Sequence, residues 1–214
     1  MIDIVTAVDK GCSMFYKTLT LKPSLNNKMY AREQKWHTEL GKVFSVNFWD
    51  STRALCAKID FDNQLKWLQY QIVRNSLQTN YIVSHFNPSV SKQCSYCHNI
   101  DSQEIVSHLF WLCPYVNGFI EDVINFLSNQ GLEYFPTKEQ FLFGFSNQQN
   151  YDPSNFVSLV LKKYIWKSKF RSANLSLVGF ISLLKVYLCD LKYFFSFKNM
   201  PELFNEWNTL LGAL

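Results

Sequence analysis

Three thiols and one imidazole gather in the stretch CSYCHNIDSQEIVSHLFWLC. Cys94 and Cys97 form a CxxC, His108 follows after ten residues, and Cys113 after four more. Soft sulfur donors with a single ring nitrogen, four ligands in all, are what a closed tetrahedral Zn2+ site takes. Such a set keeps no position open for a reacting water. The chemistry expected is a structural metal, against the plainer reading of buried thiols beside an unrelated histidine. The CxxC should form a tight turn whose backbone amides aim at the sulfurs. His108 and Cys113 are five apart, and side chains at that separation do not share a face of an α-helix. The backbone must therefore leave regular helix near Leu112 and Cys113, and Pro114 suits that break. His98 is the competing imidazole, disfavoured because a histidine adjacent to its partner thiolate strains the tetrahedron. Glu104, four before His108, reads as a residue that supports the ligands or opens a helix rather than as a general base.

The elements that must position these ligands are helical. The chain has 214 residues, about half of them apolar, with 19 Phe, 11 Tyr and 6 Trp but only 7 Gly and 6 Pro, a balance that suits long packed helices. The expected fold class is all-α, with a small CCHC zinc knuckle inserted between helices. The divisions expected are an N-terminal helical segment 1–87, the knuckle 88–120 and a C-terminal helical segment 121–214, packed as one unit. Helices are expected over 13–20, Tyr30–Gly41, a run from Asp62 carrying Leu65, Leu68, Ile72 and Leu77, a short NYIVSHF piece, and GFIEDVINFLSNQ ending at Gly131. A short helix should start at Pro136-Thr137, and two long ones should cover Phe156–Arg171 and Leu175–Phe197, with ELFNEWNTLLGAL as a coda. LKPSLNNK is read as a loop and residues 145–155 as a linker.

Cys12, Cys56 and Cys189 are scattered and read as small buried residues rather than disulfide partners. The start MIDIVTAVDK lacks the apolar core of a signal peptide, and Leu175–Leu184 is too short to span a bilayer. The expectation is a soluble intracellular protein of nucleus or cytoplasm, with no membrane partner.

Several activities are set aside. Zinc deaminases place their histidine and a Glu before a later PCxxC; here the order is reversed. Two-metal polymerases need paired aspartates, and no Asp-Asp occurs. No Pro-Asp with a following acidic-x-Lys lies beyond Cys113. An enzyme is not expected.

One family resemblance spans nearly the whole chain. LKWLQYQIVRNSLQTNYIV leading into CSYCHNIDSQEIVSHLFWLCPYV resembles the zinc-binding region that follows the reverse transcriptase in non-LTR (LINE-type) retrotransposon proteins. That family shows an aromatic-rich helix, an L-x-T-N element, C-x2-C, an acidic residue before HLFW and a final cysteine. KGCSMFYKTL, VLKKYIWKSKF and LLKVYLCDLKYFFSFKN are similar to its flanks. The resemblance implies a module that holds RNA or DNA beside a polymerase body, with Cys94, Cys97, His108 and Cys113 as ligands.

The net charge of +4 announces no partner by itself, so a local patch has to. Lys162, Lys163, Lys167, Lys169 and Arg171 crowd one helix among Tyr164, Trp166 and Phe170. They either track phosphates with rings free to stack on bases, or form a solvated face opposite a core stripe. At the cluster, Lys92, Tyr96 and His98 are the candidate contacts, Tyr96 equally placed to pack over the CxxC. Lys66 and Arg74 are weaker candidates. The rival function is a zinc-stabilised scaffolding domain packed against a polymerase body.

Overall fold

A computed structural model describes residues 23–59, 61–145, 152–198 and 212. The helix expected over 13–20 and the coda lie outside the described residues, apart from Gly212. The described residues are mostly helical and include no strand, only one isolated antiparallel bridge, Gln93 with Gln103.

The chain divides into two compact units, Met1–Val43 and Phe44–Leu214. In the first, helix α1 spans Pro23–Leu40. It starts earlier than expected because Pro23, read as part of a loop, opens the helix, where its missing N–H and fixed φ cost nothing. Gly41 ends it at φ 63, and the Lys42 amide reaches back to the His37 carbonyl at 3.2 Å.

The second unit begins with a helix not foreseen in the sequence, α2, Val46–Lys58. Ser45 caps it, its side chain accepting from the Phe48 amide at 3.2 Å. Its inward stripe is Trp49, Thr52 and Cys56, and the polar Thr in the middle hid the periodicity. Trp49 meets the edges of Phe44, Phe48 and Phe143 at centroid distances of 5.3–5.6 Å. Helix α3, Asn63–Val73, is capped by Asp62 and buries Leu65, Leu68, Gln69, Ile72 and Val73. A single turn, α4, follows at Asn80–Val83.

Past the cysteine cluster, α5 runs Pro114–Asn129, beginning at the proline rather than at Gly118. It ends as expected at Gly131: at φ 81 the Gly131 and Leu132 amides reach back to Ser128 and Leu127. Helix α6, Lys138–Phe143, opens on a capping box between Thr137 and Gln140. At its end Gly144 has φ 94, and a Cβ there would sit 2.2 Å from Leu55 Cδ2, so only glycine fits.

Helix α7, Pro153–Phe170, is capped by Asp152, and α8 covers Leu177–Phe197 after Ser176. Helix α3 packs on α2, α6 and α7; α8 packs on α7 and α5. Residues 155–162 of α7 are buried without a break, so this half of the helix is core on every side. Its second half emerges and carries the cations.

Lys162 is the exception inside that core, 1% exposed. Its Nζ donates to Gln69 Oε1, while Gln69 Nε2 donates to the Leu142 carbonyl at 2.9 Å. Burial pulls the ammonium down from 10.5 to about 7, with the nearby Cys56 working weakly the other way. The unfolded chain thus holds a proton between pH 7 and 10.5 that the folded chain sheds, and stability rises with pH through that window. Above about 9 the Cys56 thiol, pushed up to about 11 by burial, acts in the opposite sense. Between pH 7 and 8.5 the expected gain is about 1–2 kcal/mol. Lys162→Met should lack this slope. Urea midpoints at the two pH values decide it, and parallel curves for both proteins would refute the assignment.

Candidate metal centre

The cluster is built on the boundary between a hairpin and a helix. Cys94 N donates to the Ser102 carbonyl at 3.2 Å and Glu104 N to the Lys92 carbonyl at 2.8 Å, closing a short antiparallel pairing. Ser95–Asp101 turn at its tip, where His98 N reaches the Cys94 carbonyl at 3.2 Å and His98 itself takes φ 50. That turn folds Cys97 back beside Cys94. The Tyr96 amide donates to Cys94 Sγ at 3.4 Å, as expected of the CxxC.

The departure from regular helix takes a specific form. His108–Leu112 is a π-helical turn, closed by the Cys113 amide donating to the His108 carbonyl at 2.8 Å. This wider turn brings residues five apart onto one side, which an α-helix does not do. Pro114 then opens α5, and the amides of Val116 and Tyr115 point at the Cys113 sulfur. A sulfur at a helix N-terminus is well placed to carry negative charge.

The four donor atoms of Cys94, Cys97, His108 and Cys113 lie within 4.8 Å of one another. Two opposite edges of the set are Cys94 Sγ to Cys113 Sγ at 3.7 Å and Cys97 Sγ to His108 Nε2 at 3.4 Å. A tetrahedron drawn with ordinary zinc bond lengths has sulfur–sulfur edges of about 3.8 Å and sulfur–nitrogen edges of about 3.6 Å. These two edges, and the Cys3His donor chemistry, are compatible with a metal site. As free thiols, Cys94 and Cys113 share one hydrogen bond. That bond and burial push Cys94 up to about 12, and the same bond lowers Cys113. Metal uptake must expel such protons, so affinity should rise with pH. Cys94 and Cys113 are buried with Val106, Leu109 and Phe110 around the π turn, while Cys97 is half-buried. His98 is exposed.

Glu104 organises the surroundings. It is fully buried, and its Oε1 accepts from the Asn80 amide at 2.8 Å. Oε2 accepts from the Ser95 amide at 2.8 Å and the Ser95 hydroxyl at 2.7 Å. Lys169, 6% exposed at its side chain, completes the shell as an ion pair. One carboxylate thus joins the CxxC turn, the start of α4 and the end of α7. Tyr96 makes a second tie: its hydroxyl donates to the Ile165 carbonyl at 2.6 Å, and its ring stacks on Tyr115 at 5.7 Å. Spacing in the sequence carries no sign of Lys169 as a partner of Glu104, because 65 residues separate them.

The structure sorts the candidate contacts for nucleic acid. Lys162 is in the core and Lys169 is held by Glu104, so neither presents an ammonium to a phosphate, contrary to the sequence reading. Tyr96 packs beside the CxxC, its hydroxyl occupied. Arg74 is engaged with Tyr70, and Lys66 Nζ donates to the Ala57 carbonyl at 3.2 Å. Lys92, His98, Lys167 and Arg171 are exposed, and Lys163 partly so. Among the described residues no helix is long and apolar enough to cross a membrane. No model of a known protein family matches the chain, and no curated protein matches it.

Proposed function

We propose that this chain is a nucleic-acid-binding module in which Cys94, Cys97, His108 and Cys113 hold a structural Zn2+, akin to the zinc-binding region after the reverse transcriptase of LINE-type retrotransposon proteins. The observation that carries this reading is the coupling of two features. The Cys3His donors lie within 4.8 Å of one another, and the helix that carries Lys163 and Lys167 and is capped by Arg171 is tied to that same cluster through Glu104–Lys169 and Tyr96–Ile165. Zinc would supply charge and fixed geometry there. The chain's own residues set the turn, bury the ligands and hold the basic helix in place. RNA or DNA is the proposed partner, and the chain itself performs no catalysis.

Phosphate-driven binding releases counterions and weakens steeply with salt. Gel-shift and anisotropy titrations of the zinc-loaded chain with structured RNA and with duplex DNA should show affinity falling sharply between 50 and 200 mM salt, on the order of 10-fold for three phosphate contacts. A flat response, or no complex at the lower salt, would contradict the reading.

One observation favours a scaffolding role as a second reading. The outward face of α8 carries Val178, Val186, Tyr193 and Phe197, each more than half exposed and spaced along one stripe. Such a stripe suits packing against a larger body, such as the polymerase part of a retroelement protein. Tyr193→Glu would disrupt that association and leave RNA affinity unchanged.

A further inference from the structure

The emergent half of α7 borders an open groove of about 310 Å³, closed on its other sides by Gln64 of α3 and by Tyr187 of α8. Lys163, Lys167 and Arg171 line it, with Phe170 and Trp166 between them. The three cations stand at i, i+4 and i+8, so they follow one another along the groove at about 6 Å intervals. That repeat is close to the separation of successive phosphates on an extended strand. Among the described residues no carboxylate forms an ion pair with Lys167 or Arg171. Lys163 Nζ donates to Gln64 Oε1 at 3.1 Å, a neutral partner that a phosphate can replace. Asp62 lies near the Lys163 end, so the charge is most positive towards Arg171.

The aromatic part of the groove is equally specific. Phe170 is 64% exposed and stands edge to face with Trp166, centroids 4.7 Å apart. Lys169 Nζ lies 5.4 Å from the Phe170 ring centroid, held there by Glu104, which fixes the ring between a cation and solvent. An exposed ring of this kind has no use for stacked duplex bases, whose faces are covered, but it matches an unpaired base.

We propose that this groove seats a single-stranded nucleic acid, its phosphates on Lys163, Lys167 and Arg171 and one base on Phe170. The proposal rests on the nucleic-acid reading above and adds to it the strand form and the residues. The metal centre acts on it at a distance, since Glu104 positions Lys169 and with it the Phe170 ring.

The test is fluorescence anisotropy of the zinc-loaded full chain with a labelled uridine 12-mer and with the same strand annealed to its adenosine complement. The single strand should bind at least about 10-fold more tightly than the duplex, with a log–log salt slope of about −2. Lys167→Gln and Arg171→Gln should each flatten that slope by about 0.7. Phe170→Ala should weaken binding about 10-fold and leave the slope unchanged. All three side chains are exposed, so circular dichroism and zinc content should stay as in the parent. If the chain binds RNA but these variants do not weaken it, or if the duplex binds better, the groove is not the site although the broader reading stands. If no nucleic acid binds, both fall.

Discussion

Chelating the metal, or replacing Cys113 by Ser, is expected to open residues 88–113 while α2, α3, α7 and α8 stay helical. The hairpin from Lys92 to Glu104 has one isolated bridge and a few turn hydrogen bonds of its own, too little to order it alone. Without a metal, the Cys94–Cys113 hydrogen bond is a poor substitute for four coordinate bonds. The helices bury apolar residues of their own, among them Leu65, Ile72, Phe156, Val160, Leu161 and Leu184, all 2% exposed or less. Binding at a thousand times the dissociation constant stabilises a fold by about 4 kcal/mol, and that much should be lost. Hydrogen exchange would show protection vanishing in 88–113, with far-UV circular dichroism changed little. Loss of helix throughout the chain would contradict this expectation.

Glu104→Ala should be the most damaging single substitution away from the ligands. It removes the acceptor for the Asn80 amide, the Ser95 amide and the Ser95 hydroxyl at once, and strands the Lys169 ammonium in a nearly closed site. Removing one partner of a buried pair costs about 3–5 kcal/mol. Because Ser95 lies inside the CxxC, zinc affinity should also fall, by about 10- to 100-fold. Lys169→Met in the Glu104→Ala background removes the unpaired charge and should return part of the stability, whereas the two losses would simply add for independent sites. Urea denaturation of the four proteins, with competition for zinc against a chromophoric chelator, gives both quantities. A double variant no more stable than Glu104→Ala would mean that the ion pair is not what makes Glu104 costly to lose.

What could be read from the residues follows from how local the causes are. The ligand set was legible because Cys-x2-Cys, His and Cys are close in sequence, and because His108 and Cys113, five positions apart, cannot share a face of a regular helix; the π turn is the form that break takes. Gly131 stopped α5 for an equally local reason. Helix α2 was not legible, since Thr52 interrupts its apolar stripe and Val46 faces solvent. The four lysines of α7 and Arg171 at its end look alike in sequence. Lys162 is buried because Gln69 and the Leu142 carbonyl receive it, and Lys169 because Glu104 does; these partners are 20 to 93 residues away. Only tertiary packing could divide that run into core, tie and open surface.

The most direct test of the account is X-ray absorption at the zinc edge on the zinc-loaded chain. One ion per chain, bound by three sulfurs at about 2.3 Å and one nitrogen at about 2.0 Å with no coordinated water, is the expected result. A coordination shell containing oxygen, or fewer than three sulfurs, would contradict a closed Cys3His centre.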